Sequence, residues 1–154
     1  MAPAGAFAAR FVEVRVDEDL GLLRLARVLS VVDGGRLLNA KTARSQITGG
    51  TVMGIGMTMF EKTVFDPGTG RIANAAFGDY VIPVNADVPD LDTVFVGQPD
   101  QFSPTGVKGL GEIGLVGLAA AIANAVYHAT GQRIRSLPIT IDQLLATQQK
   151  QSPN

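Results

Sequence analysis

The start of the chain alternates hydrophobic and polar residues, which is the pattern of β-strands. Valines occupy positions 12, 14 and 16, and the residues between and before them are Phe11, Glu13 and Arg15. A period of two is typical of a strand in a sheet with two unlike faces. The segment DEDLG at 17–21 supplies turn residues. We therefore predict two antiparallel strands between residues 9 and 33, joined by this turn.

A helical pattern replaces the alternation further along. Asn39 or a neighbour is suited to cap a helix that runs through the forties. Glycines stand at 49, 50, 54 and 56, and each would cost about 1 kcal/mol relative to alanine in an exposed helix. Because these glycines recur among apolar residues, tight packing of a buried helix explains them better.

The remaining chain mixes short strands, loops and helices. The stretch KTVFDPGTGRIAN at 62–74 predicts a strand followed by an Asp-Pro-Gly turn. Residues 77–100 predict a short strand, a loop and a strand at 93–97. Helical spacing from Leu115 to Val126 predicts a helix that Gly131 ends, and a short last helix is capped near Thr140. Antiparallel strands with interposed helices predict an α+β fold, with an antiparallel or mixed sheet and packed helices.

The length and the hydrophobic content fit one domain. The chain has 154 residues, of which 46% are hydrophobic, so it can bury a sizeable core. We assign this domain to residues 9–146 and predict a disordered start at 1–8 and a disordered tail at 147–154.

Charge, cysteine count and hydropathy exclude several classes of function. The net charge is −1 with both signs interspersed, which argues against a nucleic-acid partner. No apolar run reaches the roughly 18 residues that span a bilayer, and the start lacks the charged and long apolar regions of a signal peptide. The absence of cysteine excludes disulfides, thiolate metal sites and protein-ligated iron–sulfur clusters within this chain.

The stretch GVKGLGEIG at 106–114 places one carboxylate, Glu112, among four glycines. Three of the glycines spell G-x-G-x-x-G, but a dinucleotide site needs a strand before them and an acid about 20 residues later. The preceding residues are polar and broken by Pro104, and no Asp or Glu occurs from Ile113 to Ile141. A P-loop is excluded because no Gly-Lys-Ser/Thr follows.

Two interpretations of Glu112 remain open on these nine residues. The carboxylate is either a first-turn helix acid, which the helix dipole stabilises by about 0.3–1 kcal/mol, or the working part of a site. In the second case the glycines give clearance for a ligand beside it.

Three stretches, in this order, resemble the molybdenum-binding subunit of the xanthine dehydrogenase and aldehyde oxidase family, the molybdenum hydroxylases. They are VVDGGRLLNAKTARSQITGGTVMGIGM, FGDYVIPVNADVPDLD and GVKGLGEIGLVGLAAAIANAVYHATGQRIRSLPIT. The resemblance runs from about Ala9 to Leu145 and corresponds to the C-terminal molybdopterin-binding domain of a much longer subunit. It points to bacterial aldehyde oxidoreductases whose molybdopterin carries a cytosine dinucleotide.

The resemblance implies a role for Glu112. It implies that Glu112 lies beside the molybdenum without ligating it, as the general base that deprotonates a Mo-bound hydroxide. Such a hydroxide is acidified by the metal, so a nearby carboxylate can take its proton near neutral pH. The implied reaction oxidises aldehydes to carboxylic acids, or hydroxylates aromatic heterocycles, with water as the oxygen source. No residue of this chain is expected to ligate the metal.

The resemblance also implies which residues bind the cofactor. They are Lys108, Gly109, Leu110 and Gly111, largely through backbone groups, then Gln46, and the run Arg36, Leu37, Leu38, Asn39, Ala40, Lys41 and Thr42. Arg36, Asn39, Lys41 and Thr42 can supply donors to phosphate. Simpler roles compete at two of these positions, because Asn39 can merely cap a helix and Arg36 can lie on a solvated face.

The family's architecture implies cofactors and partners beyond this chain. The cofactor is molybdenum-molybdopterin, in the cytosine dinucleotide form, while [2Fe–2S] clusters and FAD are carried by an iron–sulfur subunit and an FAD subunit. The remainder of the molybdenum subunit and a small aldehyde or heterocycle substrate complete the expected partners, with no nucleic acid and no membrane. The expected location is soluble, in a bacterial cytoplasm or periplasm. This chain alone is expected to be inactive, and the alternative is a truncated, non-catalytic remnant or binding module that keeps the fold.

Overall fold

Three strands form one mixed sheet in the computed structural model, which describes residues 5–145. Strands β1 (Phe7–Asp17) and β2 (Leu22–Asp33) form an antiparallel hairpin, and β3 (Asp90–Val96) pairs parallel to β2. The sheet order is β1-β2-β3. The predicted hairpin is confirmed, and so is the α+β fold with a mixed sheet. The disordered start was predicted at 1–8 and the disordered tail at 147–154; residues 1–4 and 147–154 lie outside those described, whereas Phe7 and Ala8 belong to β1.

The hairpin follows the alternation of the sequence. Along β1 the half-buried positions, among them Val12, Val14 and Val16, alternate with exposed ones. A register shift between Glu13 and Val14 marks a bulge in the pairing with β2. The strand begins at Phe7, two residues before the boundary set from the sequence, because Phe7 still pairs with Asp33 at the end of β2.

Helices cover one face of the sheet. They are α1 (Ala40–Met59), α2 (Leu118–Thr130) and the short α3 (Ile141–Leu145), with a 3-10 turn at Asn85–Asp87. Between this face and the helices lies a cluster of buried residues: Val28, Ile55, Leu118, Ile122, Val126, Ile139 and Leu144. All three predicted helices are confirmed, although α2 begins at Leu118 rather than at 115.

Glycines bring α1 close to the segment before α2. A Cβ on Gly50 would lie 2.8 Å from the Cα of Gly114, and one on Gly54 would lie 2.7 Å from a side-chain carbon of Leu118. Tight packing therefore explains these glycines, as predicted. It does not explain Gly49, which is exposed and has no atom near its missing Cβ, because that side of α1 faces away from the sheet.

Two predicted strands are absent from the described residues. The stretch at 62–74 forms a loop with a single bridge between Phe65 and Ile72, and residues 77–84 contain no strand. The loop closes on itself, because the amide of Val64 donates to the side chain of Asn74 at 2.9 Å. No sheet edge pairs with this stretch, so its apolar residues stay exposed.

Across residues 5–145, no helix has both the length and the apolar character that a membrane span requires.

Candidate functional site

Two loops meet where β2 ends. The segment that follows β2 and the start of the glycine loop form an isolated bridge between Gly35 and Val107. The amide of Arg36 donates to the carbonyl of Gly106 at 2.7 Å, and the amide of Lys108 donates to the carbonyl of Gly34 at 3.1 Å. Backbone hydrogen bonds therefore hold the two cofactor-binding segments predicted from the sequence, 36–42 and 108–111, on neighbouring loops.

An ion pair between two side chains also joins these two loops. The ammonium of Lys108 lies 2.6 Å from Oδ2 of Asp33, with 10% and 21% of the two side chains exposed. Oδ1 of Asp33 accepts a second hydrogen bond from the amide of Gly35 at 3.0 Å. The hydrogen bond from Lys108, followed by that from Gly35, lowers the pKa of Asp33 below its usual range. The ion pair takes one of the three N–H donors of the Lys108 ammonium.

Glu112 lies exposed in a turn of the glycine loop. Its carbonyl accepts from the amides of Leu115 and Val116 at 2.9 and 3.3 Å, while no hydrogen bond or ion pair to its carboxylate is found within residues 5–145. A Cβ added to Gly109 or Gly111 would meet no atom within 4 Å. The loop therefore leaves open space around a carboxylate that it presents at the surface.

Both competing interpretations of this loop fail on its geometry. Glu112 is not a first-turn helix acid, because α2 begins only at Leu118 with Gly117 as its N-cap. A dinucleotide loop would need a strand directly before it and a helix directly after it. Before Gly109 the structure has only the bridge at Val107, and turns separate Gly111 from α2.

Arg10 reaches this loop from the sheet. It stands on β1 between the half-buried positions Ala8 and Val12, and its Nη2 donates to the carbonyl of Ile113, the residue after Glu112. Its Nε and Nη1 are buried and find no hydrogen-bond partner among the described residues, and burial lowers the pKa of Arg10. Sequence reasoning missed this residue, although a charge at an inward position of an alternating strand was a visible signal.

The N-terminus of α1 presents the run from Arg36 to Thr42. Oδ1 of Asn39 accepts from the amides of Lys41 and Thr42 at 3.0 and 3.2 Å, so Asn39 is the N-cap, as the simpler interpretation predicts. The hydroxyl of Thr42 also turns back to the carbonyl of Asn39 at 3.2 Å. Leu37 is half-buried, and the others, Arg36, Leu38, Asn39, Ala40, Lys41 and Thr42, are exposed.

Gln46 lies one turn further along α1 and beside the glycine loop. Its carbonyl oxygen is 3.1 Å from the position that a Cβ on Gly114 would take, and its side chain is exposed. We call Arg36, Lys41 and Gln46 the donor rim. Within residues 5–145 no hydrogen bond or ion pair occupies their side chains, so all three are available to a ligand.

The chemistry of the donor rim suits an anionic ligand such as a phosphate. Two of its members are cationic, and the N-terminus of the 20-residue helix α1 adds positive potential beside them. Metal ligation by this chain is a different matter: within residues 5–145 no three His, Cys, Asp or Glu side chains come together to hold an ion.

A separate cavity lies away from this site. It measures about 860 Å³ and is lined by the start of β2, the end of α1 and α3, including Leu22, Phe60 and Leu144. No residue of the predicted site lines it, and it sits at the opposite end of β2 from Asp33. The candidate site is an open rim on this chain rather than a closed pocket.

Comparison with known proteins gives consistent matches. A family model described as a molybdopterin cofactor-binding domain matches residues 2–89. The aldehyde oxidoreductase molybdenum-binding subunit PaoC of Escherichia coli K12 is 47% identical over 90% of this chain. The putative xanthine dehydrogenase molybdenum-binding subunit XdhA of the same strain is 41% identical over 88% of this chain. Among solved structures, the aldehyde oxidoreductase of Desulfovibrio gigas superposes with a TM-score of 0.83 at 31% identity over 92% of this chain.

These relatives are much longer than this chain. It covers 19% of PaoC, 18% of XdhA and 15% of the Desulfovibrio gigas protein. The family model ends before the glycine loop, whereas the likeness to PaoC extends over 140 residues.

Proposed function

This chain belongs to the family of molybdopterin cofactor-binding domains of molybdenum hydroxylase subunits, and from that premise we propose that it is the C-terminal portion of a catalytic subunit. The reaction we propose is oxidation of an aldehyde to a carboxylic acid, or hydroxylation of an aromatic heterocycle, with water as the source of oxygen. Aldehyde oxidation comes first because the match to an aldehyde oxidoreductase subunit is the stronger of the two described, 47% against 41% identity.

One observation carries the proposal. Glu112 is an exposed carboxylate without a partner within residues 5–145, on a loop that hydrogen bonds fasten next to the donor rim. A structural acid would be paired or would stabilise a helix end, and this one does neither. A carboxylate held beside an anion-binding rim is suited to proton transfer at a ligand that the rim orients.

The donor rim and the glycine loop would hold the cofactor, for which we propose molybdenum-molybdopterin in the cytosine dinucleotide form. Arg36 and Lys41 offer charged donors to phosphate, and the side-chain amide of Gln46 offers a hydrogen bond to the pterin. The backbone of 108–111 would add further contacts, and Gly109 and Gly111 leave room for a ligand there. When bound, the cofactor supplies the metal that acidifies an oxygen nucleophile and accepts the substrate's electrons.

The role proposed for Glu112 is that of general base. Its carboxylate accepts the proton of the water-derived nucleophile, which then attacks the electron-poor carbon of the substrate. The turn formed by the carbonyl of Glu112 with the amides of Leu115 and Val116 fixes the backbone from which the side chain extends. Positioned proton transfer of this kind contributes about 10²- to 10⁴-fold in rate.

The proposal requires partners, because this chain covers less than a fifth of its bacterial relatives. We propose that these are the remainder of the molybdenum subunit, an iron–sulfur subunit with [2Fe–2S] clusters and an FAD subunit. On its own the chain is expected not to oxidise aldehydes, since the remainder of the molybdenum subunit would be missing.

Cofactor analysis of the assembly that the chain forms in its host tests this function. We expect molybdenum and pterin to copurify with wild type. In the double variant Arg36→Ala/Lys41→Ala, losing two charge-assisted hydrogen bonds of about 1.5 kcal/mol each weakens pterin retention roughly 100-fold. The matched control is Arg24→Ala, at an exposed position on the distant end of β2. Equal pterin content in the double variant and the control would contradict the rim assignment, and an assembly without molybdenum or pterin would favour a non-catalytic remnant.

A further inference from the structure

Arg10 occupies a position where the strand pattern calls for an apolar residue. Its neighbours on the same side of β1, Ala8 and Val12, are small or hydrophobic, and its partner on β2 is the fully buried Ser30. The β2 residues on either side of Ser30 that face the helices are Val28 and Val32, both completely buried. Arginine keeps its charge in proteins, so the chain places a cation against its own core.

Folding stability does not account for this placement. Two of the guanidinium nitrogens, Nε and Nη1, are buried without a hydrogen-bond partner within residues 5–145, and unsatisfied buried donors are unfavourable. Replacing a buried charge by an apolar side chain of similar volume is often neutral or stabilising. A residue that breaks the local pattern without a gain in stability points to function.

Within residues 5–145, the side-chain hydrogen bond of Arg10 reaches the residue that follows the proposed base. Nη2 donates to the carbonyl of Ile113 across 103 positions of sequence. The peptide group of that carbonyl lies between Ile113 and Gly114, whose missing Cβ lets α1 approach at Gly50. Two contacts therefore hold the backbone just after Glu112. Arg10 of the sheet holds the carbonyl of Ile113, and Gly114 packs against Gly50 of α1.

We propose that Arg10 is a positioning residue, which sets the direction of the Glu112 side chain by holding the carbonyl of Ile113. This inference rests on the proposed function, in which Glu112 is the base. The other anchor of the loop, the ion pair of Lys108 with Asp33, holds residue 108 and lies before the glycines that make the loop open. Among the described residues, the segment from Gly109 to Ile113 is held by this side-chain hydrogen bond from Arg10 and by the apolar packing of Leu110 on Gly34.

The test compares Arg10→Met with Arg15→Met in the purified, cofactor-loaded assembly. Arg15 lies on the same strand at an exposed position, so its replacement removes an identical side chain without touching the loop. In Arg10→Met we expect amides 115 and 116 to exchange with deuterium at least about tenfold faster than in wild type. We expect kcat to fall about 10- to 100-fold with little change in KM, because misplacement of a catalytic group costs that much in rate. Arg10→Lys keeps a charged donor and should recover part of the lost kcat.

Two readouts separate positioning from a merely structural role. The thermal midpoint of Arg10→Met should equal or exceed that of wild type, and its molybdenum and pterin contents should be unchanged. A lowered midpoint together with loss of cofactor would show that Arg10 supports the fold, and would overturn the proposal. Exchange and kcat indistinguishable from Arg15→Met would overturn it as well.

Failure of this inference is distinguishable from failure of the proposed function. In Glu112→Gln the carbonyl of Ile113 keeps its donor, so exchange at amides 115 and 116 should match wild type while turnover is lost. If Glu112→Gln turns over normally, the proposed base is wrong. If kcat is then also unchanged in Arg10→Met, the positioning role of Arg10 is wrong as well. If Glu112→Gln is inactive and Arg10→Met alters neither exchange nor kcat, only the inference about Arg10 fails.

Discussion

The ion pair between Asp33 and Lys108 gives the most quantitative prediction, through the variant Asp33→Asn. Asparagine keeps the shape and an oxygen for the amide of Gly35, which lies 3.0 Å from Oδ1 of Asp33. It removes the charge that faces an ammonium whose side chain is only 10% exposed. Breaking a fully buried pair costs about 3–5 kcal/mol, whereas an exposed pair contributes about 0–1 kcal/mol. With Asp33 itself 21% exposed, we expect a loss of about 2 kcal/mol.

Hydrogen exchange measures this loss of stability where the two loops meet. The amides of Arg36 and Lys108 donate across the two loops at 2.7 and 3.1 Å, so they open when the loops separate. A loss of 2 kcal/mol corresponds to exchange about 30-fold faster at these two amides. The control is Asp19→Asn in the β1–β2 turn, where no hydrogen bond or ion pair to the side chain is found within residues 5–145. Exchange at the two amides within about threefold of that control would refute the reasoning.

The same pair makes the junction sensitive to acid. Hydrogen bonds from Lys108 and Gly35 lower the folded-state pKa of Asp33, so its contribution is fully present above the unfolded value of about 3.9. That contribution is lost as the pH falls through the lower, folded-state pKa. The difference in exchange between wild type and Asp33→Asn should therefore be constant near neutral pH and shrink in acid below about pH 4. A difference that stayed constant through this range would show that the carboxylate charge is not its cause.

Three further changes test the packing and the helix cap. Gly50→Ala should destabilise the chain by about 1–3 kcal/mol in urea unfolding, because its Cβ would lie 2.8 Å from the Cα of Gly114. Gly49→Ala should instead stabilise it by about 0.5–1 kcal/mol, since nothing lies within 4 Å of that Cβ; equal effects at both positions would refute the packing account. Asn39→Ala should cost about 1 kcal/mol by removing the two cap hydrogen bonds, and unchanged exchange at the amide of Thr42 would count against it.

Short-range sequence patterns predicted the strands and helices that depend on residues close together in the chain. The alternation of valines gave β1, and helical spacing with Asn39 and Gly131 as its end signals gave α1 and α2. The strands expected at 62–65 and within 77–84 are absent from the described residues, because a strand needs a partner that apolar sequence alone does not supply. The parallel pairing of β3 with β2 depends in the same way on a contact between distant segments.

The sequence named candidate site residues but not the contacts that hold them in place. Glu112, Lys108 and Gln46 came from a family resemblance, which names positions but does not say what holds them. The two side-chain anchors of the loop join residues 75 and 103 positions apart, beyond the reach of any periodicity. Asp33 and Arg10 could have been suspected only as charges at the end and on the inner side of otherwise apolar strands.

Steady-state turnover of Glu112→Gln tests whether Glu112 is the base of a molybdenum hydroxylase. The variant is compared at equal molybdenum content with Glu13→Gln, which makes the same change at an exposed position on β1. We predict that Glu112→Gln keeps its molybdenum and pterin and loses about 10²- to 10⁴-fold in aldehyde oxidation, while Glu13→Gln stays near wild type. Near-normal turnover by Glu112→Gln with its cofactor in place would contradict the account.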